Sequence, residues 1–146
     1  GCLENYCSIP NILKKAQEMV WFGESSYLKE VSSQEGRIEF RHLLEGAKRG
    51  DDISLQLLHQ LGQYMGVGVV NLINLYDPEM VIIGGEAALA QEFISGIINQ
   101  VLEERLLYRE YVNPRISYSR WGKDVTLLGA ASIVLDHFIA GELGRF

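Results

Sequence analysis

Gly84 and Gly85 are the residues with the clearest opening for chemistry. They follow Met80-Val81-Ile82-Ile83, a short unbroken apolar run that predicts a strand buried on both faces. A helical pattern opens just beyond them. A glycine pair at a strand end lets the backbone come close to a ligand, at a helix start whose free N–H groups favour anions. Ligands of α/β sheets bind beyond the carboxyl ends of the strands, where this turn falls. A plain tight turn with no ligand satisfies the same pattern. Other reactive residue types are sparse. His42, His59 and His137 each fall on a predicted helix without a Cys or second His at ligand spacing, so they read as structural or surface residues. No serine is placed with a histidine and an acid for nucleophilic attack, and phosphate loops of the Walker or GxGxxG type are absent. Asp51-Asp52 fits a helix N-terminus, where carboxylates oppose the dipole favourably. Cys2 and Cys7 would not share a helix face well, and two ligands alone do not make a zinc site. Trp121 beside Gly122 reads as a packed aromatic rather than a ligand wall.

The elements that must position the glycine pair are legible. Apolar residues recur at Leu57, Leu61, Tyr64, Gly68, Leu72 and Leu75, in steps of three and four that predict a long helix. Asp51 or Asp52 caps it, and Asp77-Pro78 stops it, because the residue before a proline is pushed out of the α region. Gly62, Gly66 and Gly68 weaken such a helix by roughly 1 kcal/mol each against Ala, so they predict close approach by another backbone. Asn71 and Asn74 are expected to make satisfied hydrogen bonds in the core or at an interface. After the turn, Ala87–Leu106 reads as a helix with Phe93, Ile94, Ile97, Ile98, Val101 and Leu102 on one side. Helix, buried strand, Gly-Gly turn, helix is the order of an α/β sheet.

Elsewhere, Leu3–Tyr6 reads as helical. Ser8 with Pro10 predicts a helix to about Met19, buried through Ile12, Leu13, Ala16 and Val20. Trp21–Glu35 reads as a loop with one short helix near Tyr27–Val31. Glu39–Lys48 is a short amphipathic helix closed by Gly50. Glu103–Arg105 and Arg109-Glu110 form a solvated edge, and Asn113-Pro114 a turn. Arg115–Ser119 alternates as a half-buried strand does. Asp124 is a fair cap for a last helix, Val125–Ala140, buried through Leu127, Leu128, Ala131, Val134, Leu135 and Phe138; a short tail, Gly141–Phe146, ends the chain.

The 146 residues are 47% apolar and 22% charged with a net charge of −6, ordinary for one globular domain. That charge argues against nucleic-acid contact through this segment's own field. No apolar stretch reaches membrane-span length, no signal pattern opens the chain, and two cysteines are too few for a disulfide framework. A cytoplasmic protein without a membrane partner is the expectation. The opening Gly1-Cys2-Leu3-Glu4 lacks a methionine, which predicts a fragment.

Three blocks in order carry a family resemblance: Gly1-Cys2-Leu3-Glu4, Asn71–Gly85 with its core Leu75-Tyr76-Asp77-Pro78-Glu79, and Leu128-Gly129-Ala130-Ala131. Together they resemble the C-terminal half of a ROK protein, a family of bacterial sugar-responsive repressors and sugar kinases, and the likeness takes in residues 1–146 as one C-terminal ROK-type domain. The resemblance implies an α/β, helix-rich part of an actin- and hexokinase-like ATPase (ribonuclease H-like) domain with few strands. It implies that Cys2 is the last cysteine of a zinc motif whose other ligands lie upstream. It also implies that Glu4 reaches a sugar hydroxyl, and that Gly84-Gly85 lies on the adenosine side of a nucleotide site if ATP is bound. Zinc belongs, on this view, to a full-length parent, and ATP only to a kinase. The family's three-stranded antiparallel piece is missing, so an exposed edge or apolar face and a homo-oligomer are expected. No catalysis is expected of this chain alone.

The first expectation is the effector-binding and oligomerisation part of a ROK transcriptional repressor, taking a sugar or sugar phosphate and meeting DNA only through a missing N-terminal domain. Ala131–Phe138 resembles the repressors' closing helix, and a tail follows it. The alternative is the C-terminal half of an ATP-dependent ROK sugar kinase that phosphorylates a hexose. A pure dimerisation module is a third view.

Overall fold

The computed structural model describes residues 2–22, 26–107 and 115–141. Its elements are α1 (Glu4–Cys7), α2 (Ile9–Trp21), α3 (Tyr27–Glu35), α4 (Phe40–Lys48), α5 (Asp52–Tyr76), β1 (Met80–Ile83), α6 (Gln91–Arg105), β2 (Arg115–Tyr118) and α7 (Val125–Ile139). Two 3-10 turns, Glu86–Ala90 and Gly122–Asp124, precede α6 and α7. The two strands pair in parallel, with Met80 opposite Arg115 and Ile83 opposite Tyr118. A helix-rich α/β arrangement with few strands is therefore what forms.

Helix α5 is the spine. Asp51 caps it: one carboxylate oxygen accepts Ser54 N–H at 2.9 Å and the Ser54 hydroxyl at 2.7 Å, and the other accepts Tyr27 N–H at 2.7 Å. The same carboxylate thus holds the starts of α3 and α5. At the far end Asp77 turns left-handed, at φ 45°, ahead of Pro78. Helix α6 runs against α5 where the glycines lie. A Cβ on Gly66 would sit 2.8 Å from Val101 Cβ, and one on Gly62 would sit 3.1 Å from Ile97 Cβ. Gly68 meets Leu3 of α1 in the same way, at 2.7 Å. The packing against a second helix read from those glycines is present at Gly62 and Gly66, whereas Gly68 meets only the end of a side chain. Leu57, Leu61 and Ile73 of α5 join Ile94, Ile98 and Val101 of α6, Ile12 and Ala16 of α2, and Phe40 and Leu43 of α4 in one core.

Several expectations are corrected. β1 is covered on one face only: Ile83 is buried, whereas Ile82 is 62% exposed and Met80 is 45% exposed, because the helices of the core pack on a single side of a two-stranded sheet. The last helix is not buried. Leu127, Leu128, Ala131, Val134, Leu135 and Phe138 are all exposed, since among the described residues α7 packs chiefly on the 3-10 turn before it. Asn71 and Asn74 lie on the exposed side of α5; Asn74 caps the chain after α6 by accepting Leu107 N–H at 3.1 Å. The helix placed near Tyr27–Val31 extends to Glu35, ended by Gly36 at φ 74°. Ser8 and Asp124 occupy cap positions without a side-chain cap bond. The pattern read as one helix over Ala87–Leu106 begins as a 3-10 turn. Arg109-Glu110, the Asn113-Pro114 turn and residues 142–146 lie outside the described residues.

Gly66→Ala should lower the melting temperature by several degrees, as overpacking against the branched Val101 costs about 1–3 kcal/mol. Gly96→Ala, in α6 with nothing within 4 Å of its Cβ position, should raise stability by about 1 kcal/mol. Calorimetric unfolding of both variants checks the pair.

Candidate functional site

The Gly84-Gly85 turn stands at the carboxyl end of β1. Gly85 adopts φ 67° and ψ −159°, a region open essentially to glycine alone, and its carbonyl accepts Ala88 N–H at 3.3 Å. The chain then passes into the 3-10 turn, which carries Glu86 and Leu89 toward α4. Between them lies a cavity of about 330 Å³, walled by Leu13 of α2, Phe40 and Leu44 of α4, and Leu89, with Glu39, Arg41 and Glu86 at its rim. That volume falls at the low end of the range for small-molecule sites.

The rim is tied into the start of α4. Glu39 and His42 form a reciprocal capping box: the Glu39 side chain accepts His42 N–H, and His42 Nδ1 accepts Glu39 N–H at 3.1 Å. With Nδ1 accepting, the His42 proton is on Nε2, which lies 3.3 Å from Glu35 Oε2. Arg41 spans two carboxylates, with Nε 3.0 Å from Glu39 and a terminal nitrogen 3.1 Å from Glu35. Among the described lining residues Arg41 is the cation, and it is committed to those two acids. The arrangement can take a flat apolar group against Phe40, Leu44 and Leu89, with carboxylates placed to accept from hydroxyl or amino groups. It offers a phosphate little positive charge. No sequence signal marked this wall: Glu-x-x-His is not the Ser/Thr-x-x-Glu spacing of a capping box, and Leu13, Phe40 and Leu44 carried none beyond core periodicity.

Cys2 and Glu4 lie elsewhere. Both are exposed at α1, which is anchored on α5 by Leu3 against Gly68 and by Tyr6 stacked 4.9 Å from Tyr64. Among the described residues no hydrogen bond or ion pair joins Cys2 or Glu4 to the glycine turn. No group of three His, Cys, Asp or Glu that could hold a metal ion is present among them either. Of the histidines, His42 is buried in its cap and His59 is exposed. Trp121 is 57% exposed; a Cβ on its neighbour Gly122 would lie 3.7 Å from the end of the Leu89 side chain, so the second 3-10 turn backs the first. No helix is long and apolar enough to cross a membrane among the described residues.

The ROK family profile matches residues 1–137. The xylose repressor of Caldicellulosiruptor bescii is 28% identical over 141 residues, 96% of this chain and 35% of that protein. The glucokinase of Thermotoga maritima is 26% identical over 134 residues, 92% of this chain and 42% of the enzyme. A crystal structure of a ROK family transcriptional regulator, a homologue of the E. coli MLC protein, superposes with a TM-score of 0.76 at 30% identity, covering 90% of this chain and 32% of the regulator. The chain spans about a third of the length of the curated repressors it matches and about two fifths of the glucokinases.

Cys7 sits between the α1 cluster and the core. Its thiol donates to Leu3 O at 3.4 Å, and partial burial, then the nearby Glu4 carboxylate, push it above the ordinary thiol range. Because the thiolate is the nucleophile, Cys7 should alkylate more slowly than exposed Cys2 at pH 8 and gain rate only at higher pH. Iodoacetamide labelling followed by peptide mass analysis across pH measures both sites at once.

Proposed function

This chain belongs to the ROK family, and from that premise we propose that it forms the effector-binding part of a ROK transcriptional repressor. The observation that carries the reading is the likeness to regulators along almost the whole chain, at 30% identity with a solved regulator and 28% with a xylose repressor. The effector on this reading is a sugar or sugar phosphate, with Glu4 accepting from a hydroxyl. Glu4 fits that role by being exposed at the first turn of a helix pinned to α5. Cys2 beside it would give one thiolate to a structural zinc whose other ligands come from outside this chain. DNA contact would belong to a separate N-terminal domain, which accords with the net charge of −6 here. The surrounding domain would be of the actin-like ATPase kind.

A second reading, the C-terminal half of an ATP-dependent sugar kinase, is favoured by the cavity at Glu86 and Leu89, just after Gly84-Gly85, whose apolar walls suit a flat base although the two glycines do not line it. Against it stand the two rim carboxylates and the prior commitment of Arg41 to Glu35 and Glu39, which leave a phosphate chain poorly met.

Calorimetric titration of the intact gene product with hexoses, pentoses, their phosphates and ATP separates the two. The repressor reading expects a sugar to bind and ATP not to bind. It also expects Glu4→Ala to weaken sugar binding by about tenfold or more, the usual cost of a hydrogen bond to a charged group. ATP binding with phosphate transfer would make the parent a kinase. Sugar affinity unchanged in Glu4→Ala would remove Glu4 from the site.

A further inference from the structure

Among the described residues β2 pairs only with β1 and is an edge strand. Arg115 N–H donates to Glu79 O at 3.3 Å and Ser119 N–H to Ile83 O at 2.8 Å, so residues 115, 117 and 119 turn their backbone groups toward β1. Backbone direction alternates along a strand, and the N–H and C=O of Ile116 and Tyr118 therefore face the open side. They give onto a polar trough of about 500 Å³ whose far wall is a stripe of α6, Gln91, Ser95 and Asn99. The Ile116 and Tyr118 side chains pack toward the core. Arg115 and Ser117 thus share the uncovered sheet face with their partners Met80 and Ile82.

An unpaired edge is a template for another strand, and proteins guard such edges with charged side chains, prolines or bulges. Here the charge is Arg115, at the strand's start, and the wall of the trough is neutral in a chain of net charge −6. Two copies can meet there without setting like charges against each other. The strand is also self-complementary. An antiparallel mate on a two-fold axis through Ser117 sets Ile116 opposite Tyr118 of the second copy, and each such pair exchanges both of its backbone bonds. Isoleucine against tyrosine is a favourable cross-strand pair, Arg115 comes opposite a serine, and Ser117 meets its own copy.

We propose that β2 is a self-association surface of this chain: two copies join β2 to β2, antiparallel about Ser117, into a four-stranded sheet with the α6 stripes flanking the seam. The proposal does not depend on the repressor reading. Its test is the solution mass of the full chain by light scattering over a concentration series, for the unaltered protein, S117D, S117K and S117T. Ser117 lies on the axis, so either introduced charge faces itself. S117D and S117K should each move the monomer–dimer midpoint at least about tenfold higher in concentration, while their equimolar mixture and uncharged S117T restore it. Circular dichroism verifies that each variant is folded. Hydrogen exchange at the Ile116 and Tyr118 amides should slow as concentration rises. A chain that stays monomeric throughout, a dimer indifferent to S117D and S117K, or a mixture that fails to re-form the dimer would overturn the proposal. Self-association lost instead in Phe138→Ser would move the contact to α7 and overturn it equally.

Discussion

The close approach of α6 to α5 is the constraint on which the rest depends. Gly62 and Gly66 cost the helix intrinsic stability, roughly 1 kcal/mol each against Ala. They remove the side chains that would hold Ile97 and Val101 away. With the helices in contact, Ile94, Ile98, Val101 and Leu102 bury against Leu57, Leu61, Val69 and Ile73, and the apolar area gained outweighs the propensity lost. The segment between these helices is Asp77-Pro78-Glu79, β1, the glycine turn and the 3-10 turn Glu86–Ala90. Fixing α5 and α6 therefore fixes both ends of β1. Gly85 can occupy its costly backbone region because its flanks are anchored, not because the turn itself is favourable.

A second anchor governs what faces that turn. The Asp51 carboxylate takes donors from Ser54 and from Tyr27, binding the starts of α5 and α3 to one group. Gly46 lets α4 lie directly on Ser54, where a Cβ would collide with the Ser54 hydroxyl. The reciprocal cap of Glu39 and His42 then sets where α4 begins. These contacts hold α4 in place, and its Phe40 and Leu44 wall the cavity next to Glu86. The site is thus assembled by helix ends rather than by the sheet.

What the sequence disclosed follows from which interactions are local. The α5 period, its Asp51 cap, the Asp77-Pro78 stop and the glycine approach depend on residues within a turn or two of each other, and they were legible. The cavity wall was not, because Leu13, Phe40 and Leu89 come from three separate stretches and look like ordinary core residues in each. The reading of α7 failed for a related reason. Val125–Ile139 is apolar enough to be buried, and periodicity reports that preference without naming the surface that would satisfy it. β1 misled in the same way, since an unbroken apolar run does not show how many faces are covered. Cys2, Glu4 and the zinc and sugar roles attached to them rested on resemblance alone, and single exposed residues leave no local pattern to read.

The ion cluster at the cavity rim carries a consequence for how its chemistry is judged. Glu39 caps α4, His42 returns that cap, and Arg41 bridges Glu39 to Glu35, so each rim group is also part of a helix terminus. Arg41 and Glu35 are well exposed, where ion pairs contribute little stability. The Glu39–His42 cap is shielded, with His42 only 6% exposed, and removing it leaves donors without partners. A charge change at Arg41 therefore reports mainly on the electrostatics of the cavity. A change at Glu39 alters the start of α4 first, and with it the position of Phe40 and Leu44. Ligand effects at this rim are separable from folding effects at Arg41, and they are entangled at Glu39.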